Sequence, residues 1–483
     1  MHTTLKVTGL LFLALFYLGI VLFKVNNLHY NSPFNDEAVY VIVGQLGLFY
    51  KDWESLSPFN WVGGIPYLYP VLTALFYSIG GIELTRLVNV LFFLFSLYFI
   101  YRITFSLRIG DKNKKRTAAL IACLVLGYSQ TSHYVSRLAT YDAPGFFLMI
   151  VAVFFMIAAS KPFQYPGKYY FLSALFLLLS FFVKYSSGVF IPLLVSTSFL
   201  LINRLDKTKR KIWLIYQITP IALALSFFIL QRHQNLLIFY HDQMRAGTAS
   251  LMEILNIWWL ETRYSLLIFV PGSIGLFIKK RYRLWLGILL FSTALLIVHF
   301  QSMRSATLDK HLIYYAAGIS IIGGLGMSEL YEFGQKKTTR AFSKISIILI
   351  LFLFVHLSAR EYFKYDLLWT NTESVHNYIV DSVDANTVVV SQLGASTQLA
   401  LLNKTPISNI FTFDWIAYGD LIQEKALVKG IDDGYFDLII LEPNNPFYSS
   451  DHQQMLQLTE ESVDESYSIN YQSDNFLVYQ RSY

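Results

Sequence analysis

Apolar stretches as long as a bilayer crossing recur along nearly three quarters of this sequence, and they leave it few folds. A helix crosses the hydrocarbon core, about 30 Å thick, with roughly 20 mostly apolar residues. Eleven segments read as such spans: 7–24, 84–107, 117–134, 142–160, 169–184, 186–203, 212–230, 263–278, 284–300, 311–328 and 345–359. Charged residues make up 14% of the chain, against about 25% in soluble domains. The mean hydropathy of +0.45 over 483 residues excludes a purely soluble enzyme. Cys123 is the single cysteine and sits inside an apolar run. An intrachain disulfide and a zinc site built on CxxC pairs are therefore excluded, and Cys123 reads as a packing residue.

The loops between these segments alternate in basic content. One set holds Arg108, Lys112, Lys114, Lys115 and Arg116, then Lys161 and Lys168, then Arg204, Lys207, Lys209, Arg210 and Lys211. It continues through Lys279, Lys280, Arg281 and Arg283 to Lys336, Lys337, Arg340 and Lys344, which makes 20 basic residues in five short loops. The opposite loops hold seven: Lys51, Arg137, Lys184, Arg232, Arg245, Arg304 and Lys310. The positive-inside rule then puts the N-terminus in the cytoplasm and the C-terminus outside, which an odd number of spans requires. The formal charge of +6 is thus explained by topology and not by a nucleic-acid partner. The first span has only Lys6 before it and no small-residue cleavage site before Asn26, so it reads as a retained anchor.

Three features mark the outer side. The first loop, about 25–83, is long and aromatic; its stretches 37–50 and 68–80 have helical spacing without the length to span, which predicts interfacial helices. A second loop, about 231–262, mixes charge with Trp258 and Trp259. After about 360 the composition becomes that of a soluble domain. The runs 387–391 (TVVVS) and 436–441 (FDLIIL) read as buried strands and 475–480 as a closing strand, with helical patterns between. The expected organisation is a membrane bundle over 1–359 and a small extracytoplasmic α/β domain over 360–483. GxGxxG, GxxxxGK[ST] and HExxH are all missing from that tail.

Ionisable residues near membrane depth are costly, so each is a functional candidate as well as a structural one. Asp36 and Glu37 follow the first span as N-D-E-A-V-Y. Adjacent carboxylates there can act as base and positioner or begin a metal site; equally, they can favour a helix start through its dipole. Asp142 opens the fourth span before Ala-Pro, again a good helix start. Lys184 interrupts a very apolar stretch between two spans, and Arg245, Arg304, Lys310 and His311 add positive character on the same side. Such cations can snorkel as anchors or hold a phosphate near the headgroups. Acids and cations together on one face suit a lipid-phosphate donor entering sideways, with phosphate as the leaving group and a carboxylate deprotonating the acceptor.

The order of these features resembles that of the GT-C glycosyltransferases: Asp-Glu after the first span, a P-x-L-Y-P-like helix at Pro66–Pro70, and Asp at the start of the fourth span. Also in order are a lysine between spans five and six, a basic residue in the outer loop after span seven, and K-H-L-I-Y-Y before a late span. Within that superfamily it is most like the branch of protein O-mannosyltransferases and lipid A aminoarabinose transferase, over about 1–330. The resemblance implies an all-α polytopic bundle of about 11 transmembrane helices with a C-terminal α/β domain. It implies transfer of a sugar from a polyprenyl phosphate to a lipid, protein or glycan acceptor at the outer face, with inversion. Carried over, Asp36 is the base with Glu37 beside it, and Asp142 is the second acid; Lys184, Arg245, Lys310 and His311 contact the donor phosphate. No cofactor is required, with a divalent metal as an option. Where members often have a basic residue and paired prolines, this chain reads Gly63-Gly64-Ile65-Pro66. The competing classes are a secondary transporter or lipid-linked-sugar flippase, and an inactive scaffold or glycan polymerase. A transporter would carry charge at the midplane and matching broken helices in two halves.

Overall fold

The computed structural model describes residues 17–26, 28, 33, 35–53, 62–108, 110–161, 165–202, 206–239, 249–305, 307–331, 337–367, 370–445 and 450–482. In chain order its first helices are α1 (17–25), α2 (Asn35–Gln45), α3 (Tyr69–Leu107), α4 (Lys112–Tyr128), α5 (Gln130–Arg137), α6 (Asp142–Ala159), α7 (Pro166–Val183) and α8 (Phe190–Leu201). They are followed by α9 (Lys207–Trp213), α10 (Thr219–Phe239), α11 (Leu251–Thr262), α12 (Leu266–Ile278), α13 (Tyr282–Ser292), α14 (Ala294–Ser302), α15 (Leu308–Leu330) and α16 (Lys337–Leu367). The chain divides into two compact units: Met1–Leu28, Val62–Leu68 and Thr85–Phe363 form one, and His29–Trp61, Tyr69–Leu84 and Lys364–Tyr483 the other. This division differs from a single cut at 359/360, because α2 and the first turns of α3 group with the C-terminal residues. Helix α3 is broken at Gly80 and Gly81, four residues before the boundary.

Among the described residues six helices are long and apolar enough to cross a membrane: Tyr69–Leu107, Asp142–Ala159, Pro166–Val183, Lys207–Leu237, Leu308–Leu330 and Ala341–Glu361. Helices α13 and α14 pass the same test as a pair bent by 48°, giving seven if they are one span. The remaining predicted spans after residue 84 are also helical, but in shorter pieces. Segment 117–134 is interrupted at Ser129, 186–203 begins with a 3-10 turn at Tyr185–Val189, and α12 has only 13 residues. Most of 7–24 lies outside the described residues; α1 is its described end.

Helix α15 is the most enclosed of these six spans, buried at all but its first and last few residues. Its glycines explain how it is enclosed. A Cβ on Gly326 would fall 1.7 Å from the Gly272 carbonyl oxygen, and one on Gly275 would fall 2.1 Å from that of Gly326. On the other flank Gly324 meets the Ala118 carbonyl, at 2.3 Å from the same imagined Cβ. Lipid supplies no hydrophobic drive between helices, so such backbone-to-backbone contact provides the packing energy. Helices α6 and α7 are joined by Ser180, whose hydroxyl donates to the Gly145 carbonyl at 2.8 Å, and by Ser173 donating to Ala152 at 3.0 Å.

The second unit holds α17 (Glu373–Ser382), β1 (Val389–Ser391), α18 (Ala395–Leu401), β2 (Ile410–Thr412), β3 (Ala417–Tyr418), β4 (Leu421–Ile422) and α19 (Gln423–Asp432). It ends with β5 (Leu438–Leu441), α20 (Ser450–Ser462), β6 (Tyr467–Gln472) and β7 (Leu477–Arg481). The five-stranded sheet runs β2-β1-β5-β7-β6; β2, β1 and β5 are parallel, while β7 and β6 are antiparallel to their neighbours. Every residue of β1 and β5 is buried, as expected of strands covered on both faces. All three strands read from the sequence are present. Helix α2 also belongs here, buried from Glu37 to Gly44 and packed on α18.

Candidate active site

The candidate site in the first unit is built around the start of α6. Asn89, buried on α3, donates from Nδ2 to the carbonyls of Leu138 and Thr140, the second at 2.7 Å, and so sets the turn that precedes Asp142. Asp142 is then held on both oxygens. The Thr140 hydroxyl donates to Oδ2 at 2.7 Å, and Lys184 Nζ closes an ion pair on Oδ1. Asp142 and Lys184 are only 3% and 4% exposed. A lone buried charge costs several kcal/mol, so each makes the other tolerable.

Lys184 caps the end of α7 in extended conformation, and a short strand-like segment braces it. The Ile65 N–H donates to the Phe182 carbonyl at 2.7 Å, and the Tyr185 N–H donates to the Gly63 carbonyl at 2.6 Å. Between these bonds a Cβ on Gly64 would lie 2.1 Å from the Val183 carbonyl oxygen. Where the resemblance leads one to look for a basic residue and prolines, this chain thus carries a close backbone pairing that fixes the Lys184 turn.

Helix α15 brings Lys310 and His311 to the same region. Lys310 is 7% exposed, and the charges of Lys310 and Asp309 are near enough to act on Lys184. His311 Nε2 bonds the Ser186 hydroxyl at 3.2 Å, and its Nδ1 bonds His299 Nε2 at 2.7 Å; His299 Nδ1 in turn meets the Arg304 carbonyl at 2.7 Å. A carbonyl only accepts, so His299 Nδ1 carries the proton and His299 Nε2 is the acceptor. His311 Nδ1–H therefore donates to it, leaving His311 Nε2 to accept from Ser186. The Tyr314 ring packs on Phe146 and Phe190, with its hydroxyl 3.4 Å from that of Ser187.

The structure therefore brings together Asp142, Lys184, Lys310 and His311. Asp36 and Glu37 lie in the second unit, in the first turn of α2, where acids are favoured by the helix dipole. Glu37 is fully buried and Asp36 half-buried. Arg245 lies outside the described residues. Among the described residues, no group of three or more His, Cys, Asp or Glu side chains is placed to hold a metal ion. His299, Asn89 and Thr140 escaped the sequence reading. A single histidine, asparagine or threonine in an apolar run gives no signal until folding supplies its partner.

Fold and site together define a class by likeness: the fold is that of polytopic membrane glycosyltransferases of the GT-C type. Residues 64–230 match the family model described as dolichyl-phosphate-mannose-protein mannosyltransferase. The fold is similar to that of ArnT from Cupriavidus metallidurans bound to undecaprenyl phosphate, with TM-score 0.65, 13% identity, and 97% of each chain covered. It is similar to the oligosaccharyltransferase of Archaeoglobus fulgidus, with TM-score 0.55 and 11% identity over 97% of this chain and 74% of that one. It is also similar to the arabinofuranosyltransferase AftD from Mycobacteria, with TM-score 0.57 and 13% identity over 97% and 41%. No curated protein matches by sequence.

Proposed function

We propose that this protein transfers a sugar from a polyprenyl-phosphate donor to a hydroxyl or amine of a lipid, protein or glycan acceptor at the extracytoplasmic face, inverting the anomeric carbon. The observation that carries this reading is the cluster of buried Asp142, Lys184 and Lys310 with half-buried His311. It is supported by the likeness in fold to ArnT, which was solved with undecaprenyl phosphate bound. Buried cations suit a phosphate leaving group, whose developing charge they stabilise where water is scarce.

The role of Asp142 follows from how it is engaged, and the other roles rest on the resemblance. Asp142 already accepts from Thr140 and Lys184, so it is a positioning acid and not a base. Asp36 is the base, with Glu37 beside it. Asp36 takes the proton of the acceptor, the acceptor atom bonds to the anomeric carbon, and the bond from that carbon to the phosphate oxygen breaks with its electron pair leaving on the phosphate. A single displacement from the opposite side inverts the centre. Lys184, Lys310, His311 and Arg245 hold the phosphate, and the reaction needs no cofactor.

The test is turnover of purified protein in nanodiscs with a panel of undecaprenyl-phosphate sugars, read as release of undecaprenyl phosphate. Loss of a general base costs about 100-fold to 10,000-fold, so Asp36→Asn should fall by at least about 100-fold while still binding donor. Lys310→Met should raise the donor KM. Wild-type turnover in Asp36→Asn removes that residue as the base, and absence of sugar transfer by the wild type from every donor removes the reading altogether.

A further inference from the structure

In the second unit, the carboxyl ends of the parallel strands are occupied by the residue that immediately precedes Asp36. Asn35 Oδ1 accepts from the backbone N–H of Ala395, the first residue of α18, at 2.7 Å. Asn35 Nδ2 donates to Asp414 Oδ2 at 3.3 Å, and Asp414 Oδ1 meets His452 Nε2 of α20 at 3.0 Å. Ala395 lies four residues past the end of β1 and Asp414 two past the end of β2. In open α/β sheets this edge is where ligands are held. Here the loops after β1 and β2 grip a side chain 360 residues away in sequence.

The grip has a backbone requirement. Gly394 has φ +63°, and a Cβ there would lie 2.7 Å from Asn35 Oδ1 and 3.2 Å from Asp414 Oδ2. Glycine meets both the left-handed conformation and the close approach. A second anchor lies at the other end of the segment: the Tyr50 hydroxyl, in the π-helical turn Leu46–Tyr50 after α2, donates to Asn403 Oδ1 just beyond α18. The stretch 35–50 is thus tied to the α/β fold at both ends, and its middle is buried.

We infer that the C-terminal α/β domain serves as a positioning clamp for the Asn35-Asp36-Glu37 motif, with Asn35, Asp414 and His452 as the positioning residues. The inference rests on the reading of Asp36 as the base. Asn35 supplies one acceptor to Ala395 and one donor to Asp414, and the side chain beside it inherits that fixed backbone. A misplacement of about 1 Å can cost about 100-fold in rate, which is the scale at which such a clamp acts.

An exchange of partners tests this. In Asn35→Asp the new carboxylate still accepts from Ala395 but faces the Asp414 carboxylate; in the double variant N35D/D414N, the new carboxamide at 414 donates to it and still accepts from His452. In the full chain, N35D should lower kcat about 100-fold with the donor KM unchanged, and should speed hydrogen exchange at Ala395 and through 36–45. N35D/D414N should restore both. Wild-type kcat in N35D overturns the clamp, as does a double variant that regains amide protection without regaining kcat. Asp36→Asn, run in parallel, separates the two proposals. If it turns over at the wild-type rate, the base assignment fails and exchange alone decides the clamp. Protection lost in N35D and regained in the double variant then upholds it as the anchor of α2, and unchanged protection overturns it.

Discussion

A lysine and a carboxylate enclosed in a helical membrane bundle survive there only by neutralising each other, and Lys184 with Asp142 does so with Thr140 filling the second carboxylate oxygen. Removing one partner of such a pair strands a buried charge at about 3–5 kcal/mol. Lys184→Met should therefore lower the thermal midpoint sharply, and Asp142→Asn combined with it should recover most of that loss without recovering activity, as read by melting and by turnover of the same preparations. Gly64→Ala should also lower activity, because its methyl would meet the Val183 carbonyl and displace the Lys184 turn; an unchanged donor KM and kcat in that variant would show that the brace is dispensable. The charged residues themselves were legible in the sequence, since ionisable groups at span ends stand out against apolar surroundings. Their partners were not. Nothing local tells that Thr140 turns toward Asp142, or that Gly63 and Gly64 run beside residues 182–185.

At the scale of elements, hydropathy located nearly every helix, while packing determined their lengths and breaks. The α12–α15 crossing has glycine on both sides, so Gly326→Val should prevent the close approach; the measurable result is a fall in folded, monodisperse protein after extraction, with Gly287→Ala, which meets nothing, as the control. In the second unit His376 gives a pH test. It is 9% exposed, its Nδ1 shares a hydrogen bond with Thr372 at 3.2 Å, and its Nε2 is buried without a hydrogen-bond partner. Burial pushes its pKa down to about 4, below the usual value of about 6.5. The folded pKa is the lower one, so as the pH falls below about 6.5 the unfolded chain takes up a proton that the folded chain refuses. Stability declines from there down to about pH 4, with about 2 kcal/mol lost by pH 5. The melting temperature of the full chain should drop between pH 7.5 and 5, and His376→Leu should flatten that drop.

For the whole molecule, the basic residues of the loops argue an orientation that a helix bundle alone does not give. Twenty basic residues on one set of loops against seven on the other are the basis on which we propose a cytoplasmic N-terminus and an α/β domain outside. A reporter that is active only outside the cytoplasm should be active when fused after Tyr483 and silent when fused in the loop after Ile202; the reverse pattern would invert the proposed topology and put the transfer reaction on the other face. The grouping of α2 with residues 364–483 was not legible. The sequence placed α2 in an outer loop of the bundle because it follows the first span, whereas its burial is decided by α18, more than 350 residues later.

By itself the sequence determined the class of solvent, the helical architecture, the existence of a C-terminal α/β region and the handful of ionisable residues worth testing. These follow from composition and periodicity, which are local and additive along a chain. The tertiary structure alone decided which of those residues meet: Asp142 with Lys184, His311 with His299, and Asn35 with Ala395 and Asp414. Such meetings depend on backbone approach between segments distant in sequence, and no periodicity records it.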